Sequence, residues 1–297
     1  MNILITGGSG FLGRALSDTL HREDNARITW LTRAPQQNAP AHVRLLSYEE
    51  LPRCTDRFDV LINLAGAGIA DRRWTATRKA ALYASRLTPT QTLLDWIAAA
   101  PAKPRLLISG SATGWYGAQG DDALTEADTR FTDDFPHQLC DRWEQLARQS
   151  EAHGVPVAIV RTGIVLDPTG GILARLRLPF RLGLGGRLGN GRQYMSWISR
   201  HDWVRAVRHI LHQPDTAHRP LYNLTAPHPV RNAAFTRTLA AALHRPALLP
   251  APALALRLAL GELATLLLDG QNVLPAALNE TGFRFEHPKL ADALTAR

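Results

Sequence analysis

A glycine-rich turn near the start of the chain has the residue types and spacing of a dinucleotide-binding site. Residues 6–13 read TGGSGFLG, in which Gly7, Gly10 and Gly13 are three residues apart. An apolar run at residues 3–6 precedes the turn and a helical pattern follows it. Glycines let such a backbone approach a ligand closely, and the free N–H groups at a helix N-terminus bind a pyrophosphate. The predicted cofactor contacts in this turn are Gly7, Ser9, Gly10, Phe11, Leu12 and Gly13.

The end of the second predicted strand indicates which dinucleotide binds. The strand at residues 28–31 is followed by Thr32 and Arg33, with no carboxylate at this position. A site that prefers NAD places an acid here for the ribose 2′-hydroxyl, whereas a guanidinium pairs with a 2′-phosphate. Arg33 therefore favours NADP(H), and the alternative is a chance arginine in an arginine-rich chain.

A third strand end carries small residues that suit close contact with the same cofactor. The strand predicted at residues 60–64 runs into Leu64, Ala65 and Gly66. Small side chains there allow the backbone to approach the adenosine and pyrophosphate. We predict these three residues as further cofactor contacts.

The elements that position these residues alternate between strand and helix. Apolar runs of strand length occur at residues 3–6, 28–31, 60–64, 106–109 and 157–160, and helical spacing occurs at residues 12–20, 76–100 and 139–151. Continuous rather than alternating apolar strands are typical of a sheet that is covered on both faces. The predicted fold class is therefore α/β, with a doubly wound parallel sheet of the Rossmann type.

The chain changes character after residue 161. Glycines crowd residues 163–191, which predicts a loop-like segment, and helical patterns return at residues 232–243 and 253–268. The apolar stretch at residues 254–268 contains Arg257 and Glu262, so it predicts a buried helix rather than a membrane span. We predict an NADP(H)-binding domain at residues 1–165, with returning elements around 201–225, and a smaller, mostly C-terminal substrate-binding lobe at residues 166–297.

Composition argues against several other classes of protein. The formal charge is +8, but the arginines are spread along the chain and no nucleic-acid motif accompanies them. Cys54 and Cys140 are far apart and match no metal-ligand spacing, which indicates a reducing compartment. No basic leader precedes an apolar run at the N-terminus. We expect a cytoplasmic protein without metal, membrane or nucleic-acid partners.

Together these motifs resemble the extended short-chain dehydrogenase/reductases of the NAD-dependent epimerase/dehydratase family. The resemblance sharpens to an atypical subgroup of "epimerase family" proteins, also labelled cell-division-inhibitor (SulA) homologues, with a C-terminal lobe of unknown function. Its motifs here are DRRWT at 71–75, SR at 85–86, SGSATGWYG at 109–117, CDRWE at 140–144, RTG at 161–163, GG at 185–186, SWI at 196–198 and GF at 282–283. The resemblance implies further cofactor contacts from Arg86, Ser109, Gly163 and Ile164, and by analogy a homodimer.

The superfamily's catalytic set is only partly present. The resemblance implies a serine after the fifth strand, which Ser111 matches, and a Tyr-x-x-x-Lys pair on the next helix. At that helix Cys140 stands in place of the tyrosine and Glu144 in place of the lysine. A carboxylate one helical turn from a thiol disfavours the thiolate, so the usual mechanism does not transfer.

Other residues could take over the proton transfer. Glu144 could act as an acid or base if it is buried, or it could form a structural salt bridge. Tyr116 is an alternative proton donor or a pocket wall. Cys140 could equally be a small buried hydrophobic residue.

The substrate site is expected above the sheet. Seven arginines between residues 175 and 205 accompany a single acid, Asp202, and could clamp a phosphate or a nucleotide-sugar diphosphate, or could simply be solvated. Gln193, Trp197 and Asn223 could line the pocket. Two hypotheses follow: an NADP(H)-dependent oxidoreductase or epimerase acting on a small, perhaps anionic molecule, or a non-catalytic NADP(H)-sensing regulator.

Overall fold

The computed structural model describes residues 1–34, 39–214 and 218–295. Within these residues the strands are β1 (Asn2–Thr6), β2 (Arg27–Thr32), β3 (Val43–Ser47), β4 (Val60–Asn63), β5 (Leu106–Ala112), β6 (Ala123–Leu124), β7 (Val157–Thr162), β8 (Ile164–Asp167), β9 (Tyr194–Met195), β10 (Trp197–Ser199), β11 (Leu221–Leu224), β12 (Val230–Arg231) and β13 (Asn272–Val273). The α-helices are α1 (Phe11–Asp24), α2 (Ala76–Ala99), α3 (Phe135–Arg148), α4 (Gly171–Arg181), α5 (Arg200–Leu211), α6 (Asn232–Ala242), α7 (Ala253–Leu260), α8 (Thr265–Leu268), α9 (Ala276–Glu280) and α10 (Leu290–Thr295).

One parallel sheet organises the N-terminal part of the chain. Its strand order is β11-β7-β5-β4-β1-β2-β3, and every neighbouring pair is parallel. The chain order reverses between β1 and β4, and open sheets bind ligands outside the carboxyl ends of strands at such a point. The predicted doubly wound sheet is confirmed, and β3 and β11 are strands that the sequence patterns did not predict.

Helices cover both faces of this sheet, which explains its continuous apolar strands. Ile3 and Ile5 pack with α1 and α5 on one face, whereas Leu4 between them packs with α2 and α3 on the other. All three side chains are fully buried. Burying an aliphatic side chain of this size contributes about 1.5–3 kcal/mol. Because helices exclude water from both faces of the sheet, polar side chains in these strands need hydrogen-bond partners within the protein.

Three helices begin with a side chain that accepts a hydrogen bond from the backbone. Thr75, Asp134 and Ser199 cap α2, α3 and α5 in this way. Such a cap contributes about 1 kcal/mol. In contrast, α1 follows Gly10 and has no side-chain cap.

The C-terminal part has a core of its own. Buried residues from β8, β9, β10, α4, α6 and α10 form it, including Trp197 and Phe235. The predicted loop at residues 163–191 contains strand β8 and helix α4, so that prediction was wrong for residues 164–167 and 171–181.

The prediction of a buried helix at residues 254–268 was wrong about burial for residues 254–260, whereas Leu263 and Ala264 further along the segment are buried. Helix α7 has no buried residue, and the exposed fractions of Leu254 and Leu258 are 69% and 72%. The reason is that no described element packs over these leucines. Across the described ranges, no helix combines the length and apolar character needed to span a membrane.

Candidate functional site

The turn between β1 and α1 has backbone contacts that only glycine allows. Gly7 has a φ angle of +71°, and a Cβ atom there would lie 2.5 Å from the carbonyl oxygen of Leu64. A Cβ atom on Gly13 would lie 2.3 Å from the carbonyl oxygen of Gly7. Because α1 lacks a side-chain cap, its first N–H groups remain available to an anionic ligand. This geometry fits a dinucleotide pyrophosphate.

The side chains next to this turn shape its mouth. Ser9 and Gly10 are exposed, and Phe11 and Leu12 are half-buried. The guanidinium of Arg200 lies over the Phe11 ring, with its Cζ 4.9 Å from the ring centroid. A Cβ atom on Gly170 would lie 2.5 Å from the same ring, so α4 begins against the predicted cofactor turn.

A buried hydrogen-bond chain fixes the ends of β1 and β4. Thr6 Oγ1 donates to Asn63 Oδ1 over 2.6 Å, and Asn63 Nδ2 donates to Thr90 Oγ1 over 2.7 Å. The amide of Ala65 donates back to Thr6 Oγ1 over 3.3 Å. These bonds set the course of residues 64–66 beside the glycine turn. Sequence reasoning missed Thr6 and Thr90, whose roles depend on cross-strand contacts.

Arg86 on α2 lies beside the same segment. Its Nη2 donates to the carbonyl oxygen of Ala67 over 3.2 Å, and its Cζ is 5.4 Å from the centroid of the Trp143 ring. A Cβ atom on Gly66 would lie 3.1 Å from that Cζ. Burial lowers the pKa of the Arg86 guanidinium. The structure thus brings the predicted residues Gly66 and Arg86 together.

Arg33 stands immediately after β2, at the carboxyl edge of the sheet. Its side chain is exposed and makes no ion pair or hydrogen bond with any residue in the described ranges. An arginine without an internal partner is free to bind an external anion. The position therefore fits a 2′-phosphate contact.

At the end of β5, Ser111 is bonded to Glu144. Ser111 Oγ donates to Glu144 Oε1 over 2.6 Å. Arg161 holds both carboxylate oxygens, with Nε 2.9 Å from Oε1 and Nη2 2.9 Å from Oε2. The three residues are 6%, 3% and 2% exposed, respectively. Bidentate, charge-assisted bonds of this kind are stronger and more directional than neutral ones.

The sheet register explains why these groups meet. Ser111 on β5 pairs with Arg161 on β7, which in turn pairs with Asn223 on β11. Paired residues of neighbouring strands project from the same face of a sheet. Glu144 reaches that face from α3, which packs against β5. The sequence left open whether Glu144 is an acid or base or forms a structural salt bridge, and the structure contains the salt bridge, with Arg161.

Arg161 is itself held by aromatic rings. Its Cζ lies 3.6 Å from the centroid of the Trp115 ring and 4.8 Å from that of Tyr116. Burial opposes its charge, but hydrogen bonds from the guanidinium to Glu144 outweigh this and raise its pKa. Its Nη1 atom is buried and, among the described residues, has no hydrogen-bond partner. In the sequence, Arg161 stands out only as part of the RTG motif, and no pattern predicts a role for Trp115.

Cys140 is buried next to this pair. Burial, with a further contribution from the charge of Glu144, raises the pKa of its thiol from 9.0 to about 11. The expectation that Glu144 disfavours a thiolate is confirmed. Cys140 is therefore a neutral thiol at physiological pH.

Tyr116 does not suit the role of proton donor that the sequence left open. The side chain is completely buried, and its hydroxyl lies 3.0 Å from both the carbonyl oxygen of Thr125 and Oδ1 of Asn223. Burial raises the pKa of this hydroxyl. Because its one proton is used within the core, Tyr116 acts as a packing residue, and Asn223 is its partner rather than a pocket wall.

The remaining predicted cofactor residues lie along the same sheet edge. Ser109 is fully buried on β5, and its Oγ has no hydrogen-bond partner in the described chain. Gly163 lies between β7 and β8, and Ile164 is the first residue of β8. A Cβ atom on Gly163 would be 2.4 Å from the carbonyl oxygen of Ser196. The amide of Ile164 donates to that oxygen over 2.7 Å.

The predicted substrate residues are more buried than expected. Trp197 is completely buried, with Nε1 donating to the carbonyl oxygen of His228 over 3.1 Å, so it is a core residue. Gln193 is half-buried, and its Nε2 donates to the carbonyl oxygens of Leu188 and Leu267 over 3.1 and 2.7 Å. Several arginines of the 175–205 stretch have internal partners; Arg205, for example, pairs with Asp202. This stretch is therefore only partly available to a ligand.

Family models agree with the arrangement around the glycine turn. The model of the NAD dependent epimerase/dehydratase family matches residues 3–225, and that of a domain of unknown function (DUF1731) matches residues 251–296. This chain belongs to the NAD dependent epimerase/dehydratase family.

Relatives within this family cover nearly the full chain. An epimerase family protein of Mycobacterium bovis is 42% identical over 98% of this chain and 96% of its own length. One of Staphylococcus epidermidis is 38% identical over 98% and 97%.

Solved structures are similar as well. The crystal structure of a human epimerase family protein with NADPH matches with a TM-score of 0.89 and 32% identity, covering 99% of this chain and 98% of that one. A nucleoside-diphosphate sugar epimerase from Corynebacterium glutamicum matches with a TM-score of 0.78 and 29% identity, covering 99% of this chain and 57% of that one.

Proposed function

We propose that this family member is an NADP(H)-dependent oxidoreductase or epimerase that acts on a small molecule at Ser111. The observation that carries the proposal is the 2.6 Å hydrogen bond from Ser111 Oγ to a carboxylate that Arg161 holds in place. This serine lies at the end of the same strand as the catalytic serine of the wider superfamily. A hydroxyl bonded to a fixed carboxylate has the arrangement of a general-base pair.

The residues at the sheet edge fit NADP(H) as the cofactor. The glycine turn would hold the pyrophosphate, residues 64–66 and Arg86 would border the adenosine side, and Arg33 would pair with the 2′-phosphate. The human relative whose structure contains NADPH supports this choice. When bound, the nicotinamide supplies hydride transfer.

The chain's own residues would orient the substrate and move its proton. Ser111 Oγ would hold the reacting oxygen, and Glu144 would take or return a proton through Ser111. Arg161 would keep the carboxylate in place throughout. Cys140 would contribute only packing, because a thiol with a pKa of about 11 stays protonated.

We keep a non-catalytic NADP(H) sensor as the second candidate, because one observation favours it. Glu144 and Arg161 are almost fully buried and pair with each other, as residues with a structural role do. In that case cofactor binding would persist without turnover. The smaller C-terminal lobe would then serve a partner protein rather than a substrate.

Turnover assays separate the two candidates. We expect NADPH oxidation or NADP⁺ reduction with a member of a panel of nucleotide sugars, aldehydes and alcohols, and its loss in Ser111→Ala. Thr88→Ala, which removes an exposed hydroxyl on α2, is the control and should keep full activity. If Ser111→Ala retains the wild-type rate on an active substrate, the role of Ser111 is refuted; an inactive protein that still binds NADPH would support the sensor.

Cofactor choice has its own measurement. Arg33→Ala should weaken NADPH binding by about tenfold or more, because a charge-assisted contact is lost, and should leave NADH almost unchanged. Isothermal titration with both cofactors measures this, with Arg237→Ala, an exposed arginine on α6, as the control. Equal losses for the two cofactors would contradict a 2′-phosphate contact.

The two-domain division of labour, a homodimer and a cytoplasmic location stay predictions. Size-exclusion chromatography with light scattering tests the dimer directly.

A further inference from the structure

Exposed leucines are concentrated in two segments of the C-terminal part. Of the nine large hydrophobic side chains that are exposed in the described residues, seven belong to these segments. They are Leu178, Leu182, Leu184, Leu248, Leu249, Leu254 and Leu258, each more than half exposed. Single exposed leucines are ordinary, but a concentration of them on one part of a surface marks a binding site.

Two of these leucines, Leu178 on α4 and Leu182 directly after it, lie on the side of this helix that faces the loop after β4. Arg175 Nη1 donates to the carbonyl oxygen of Ala70 over 3.2 Å, and its Nη2 pairs with Asp71 over 2.5 Å. Leu178 and Leu182 follow Arg175 by three and seven residues, so they share its side of the helix.

Helix α7 approaches the same loop. Arg73 Nη2 donates to the carbonyl oxygen of Leu258 over 2.7 Å. Leu254 and Leu258 are four residues apart and form one stripe along α7. The leucine stripes of α4 and α7 therefore flank residues 70–73, and we call this arrangement the leucine groove.

The groove has two defined ends. At one end the chain segments leading from α4 and into α7 pair, with the amide of Ala251 donating to the carbonyl oxygen of Arg187 over 2.9 Å. At the other end the start of α4 packs on Phe11 of the glycine turn, through Gly170. The groove therefore leads towards the cofactor site.

Positive charge accompanies the leucines. Arg181 lies next to Leu182, and its guanidinium has no ion pair or hydrogen bond with a described residue. Arg257 lies next to Leu258, and its guanidinium interacts electrostatically with Asp269. Residues 168–201 contain no aspartate or glutamate. The walls therefore combine apolar surface with cationic groups, and α4 and α7 themselves contain no acid.

We infer that the leucine groove binds a small amphiphile, a molecule with a long apolar chain and a phosphate or carboxylate group. The inference rests on the proposed function insofar as it makes this molecule the substrate. A second copy of the chain fits poorly, because a symmetric contact would oppose arginines with arginines. A protein partner is less favoured, because protein hot spots are enriched in aromatic residues and the patch exposes none.

Binding of dodecyl phosphate tests the inference without any turnover. The fluorescent probe anilinonaphthalene sulfonate, itself apolar and anionic, should bind wild-type protein and be displaced by dodecyl phosphate. Inorganic phosphate and dodecanol, which carry one feature each, should displace it at least about tenfold less well. Because no cofactor is present, the result does not depend on whether the chain is an enzyme.

Substitutions test whether dodecyl phosphate binds in the leucine groove. The double variant Leu254→Glu and Leu258→Glu should weaken dodecyl phosphate binding at least about tenfold, whereas Phe131→Glu, at an exposed aromatic outside the groove, should not. Arg181→Ala with Arg257→Ala should weaken dodecyl phosphate much more than dodecanol. Circular dichroism checks that each variant is folded.

Three results would overturn the inference. The first is equal binding by wild type and the leucine double variant. The second is a dimer in light scattering that the double variant converts to monomer, which would make the groove an interface between copies. The third is sedimentation of wild type with phosphatidylglycerol vesicles but no binding of monomeric dodecyl phosphate, which would assign the leucines to a membrane surface.

Discussion

Removing either member of the Glu144–Arg161 pair should destabilise the protein strongly. In Glu144→Gln the buried guanidinium loses its counter-charge, and in Arg161→Met the buried carboxylate keeps only the more distant and more exposed Arg148, whose Nη2 lies 3.8 Å from Oε2. Leaving one buried charge unpaired costs about 3–5 kcal/mol. With the usual entropy of unfolding per residue, this corresponds to a fall in melting temperature of roughly 5–8 °C for a chain of this length.

The double variant carries the decisive information. Glu144→Gln with Arg161→Met leaves no unpaired charge, so its loss of stability should be smaller than the sum of the single losses. We expect a coupling free energy of about 2–3 kcal/mol, within the range for contacting residues. The Met side chain keeps much of the packing against Trp115 while it removes the cation.

Urea unfolding followed by tryptophan fluorescence and by circular dichroism measures these differences, and coincident transitions justify a two-state treatment. Arg237→Met, on the surface of α6, controls for the general effect of replacing an arginine. Additive losses in the double variant, or single variants as stable as wild type, would refute the view that the pair is a coupled, desolvated unit.

Three further results are expected. Cys140 should resist iodoacetamide at pH 8 in folded protein while Cys54 reacts. Folding raises the pKa of the Cys140 thiol from 9.0 to about 11. The protonated thiol therefore contributes roughly 2–3 kcal/mol to the free energy of unfolding below pH 9, and this contribution is lost as the pH rises to 11. Cys140→Ala should flatten the alkaline loss of stability, and an unchanged slope would contradict this. Gly13→Ala should abolish NADPH binding in titration, because its Cβ would clash with the backbone of Gly7. Tyr116→Phe should lower stability by about 1 kcal/mol in urea unfolding, and a selective loss of turnover with unchanged stability would restore Tyr116 as a proton donor.

The parallel sheet and the glycine turn could be predicted because their signals are local. An apolar run such as residues 3–6 followed by closely spaced glycines needs no knowledge of distant contacts. The pairing of Arg161 with Glu144 could not be predicted, because it depends on the strand register that places Arg161 beside Ser111.

The exposure of α7 shows a different limit. An apolar helix predicts burial only if another element packs against it, and the sequence does not say whether one does. Leu254 and Leu258 have side chains typical of a protein core, yet they lie at the surface. Trp197 is the opposite case, since a predicted pocket residue proved to be fully buried.

The Glu144–Arg161 pair also limits how this site could be converted to the common dehydrogenase arrangement. Introducing the tyrosine and lysine through Cys140→Tyr and Glu144→Lys would place an ammonium group against the Arg161 guanidinium in a dry interior, where like charges repel strongly. A third change, at Arg161 on a different strand, would have to accompany them. Glu144→Lys is not tolerable before Arg161 changes, so the two helix substitutions alone do not connect the two catalytic arrangements.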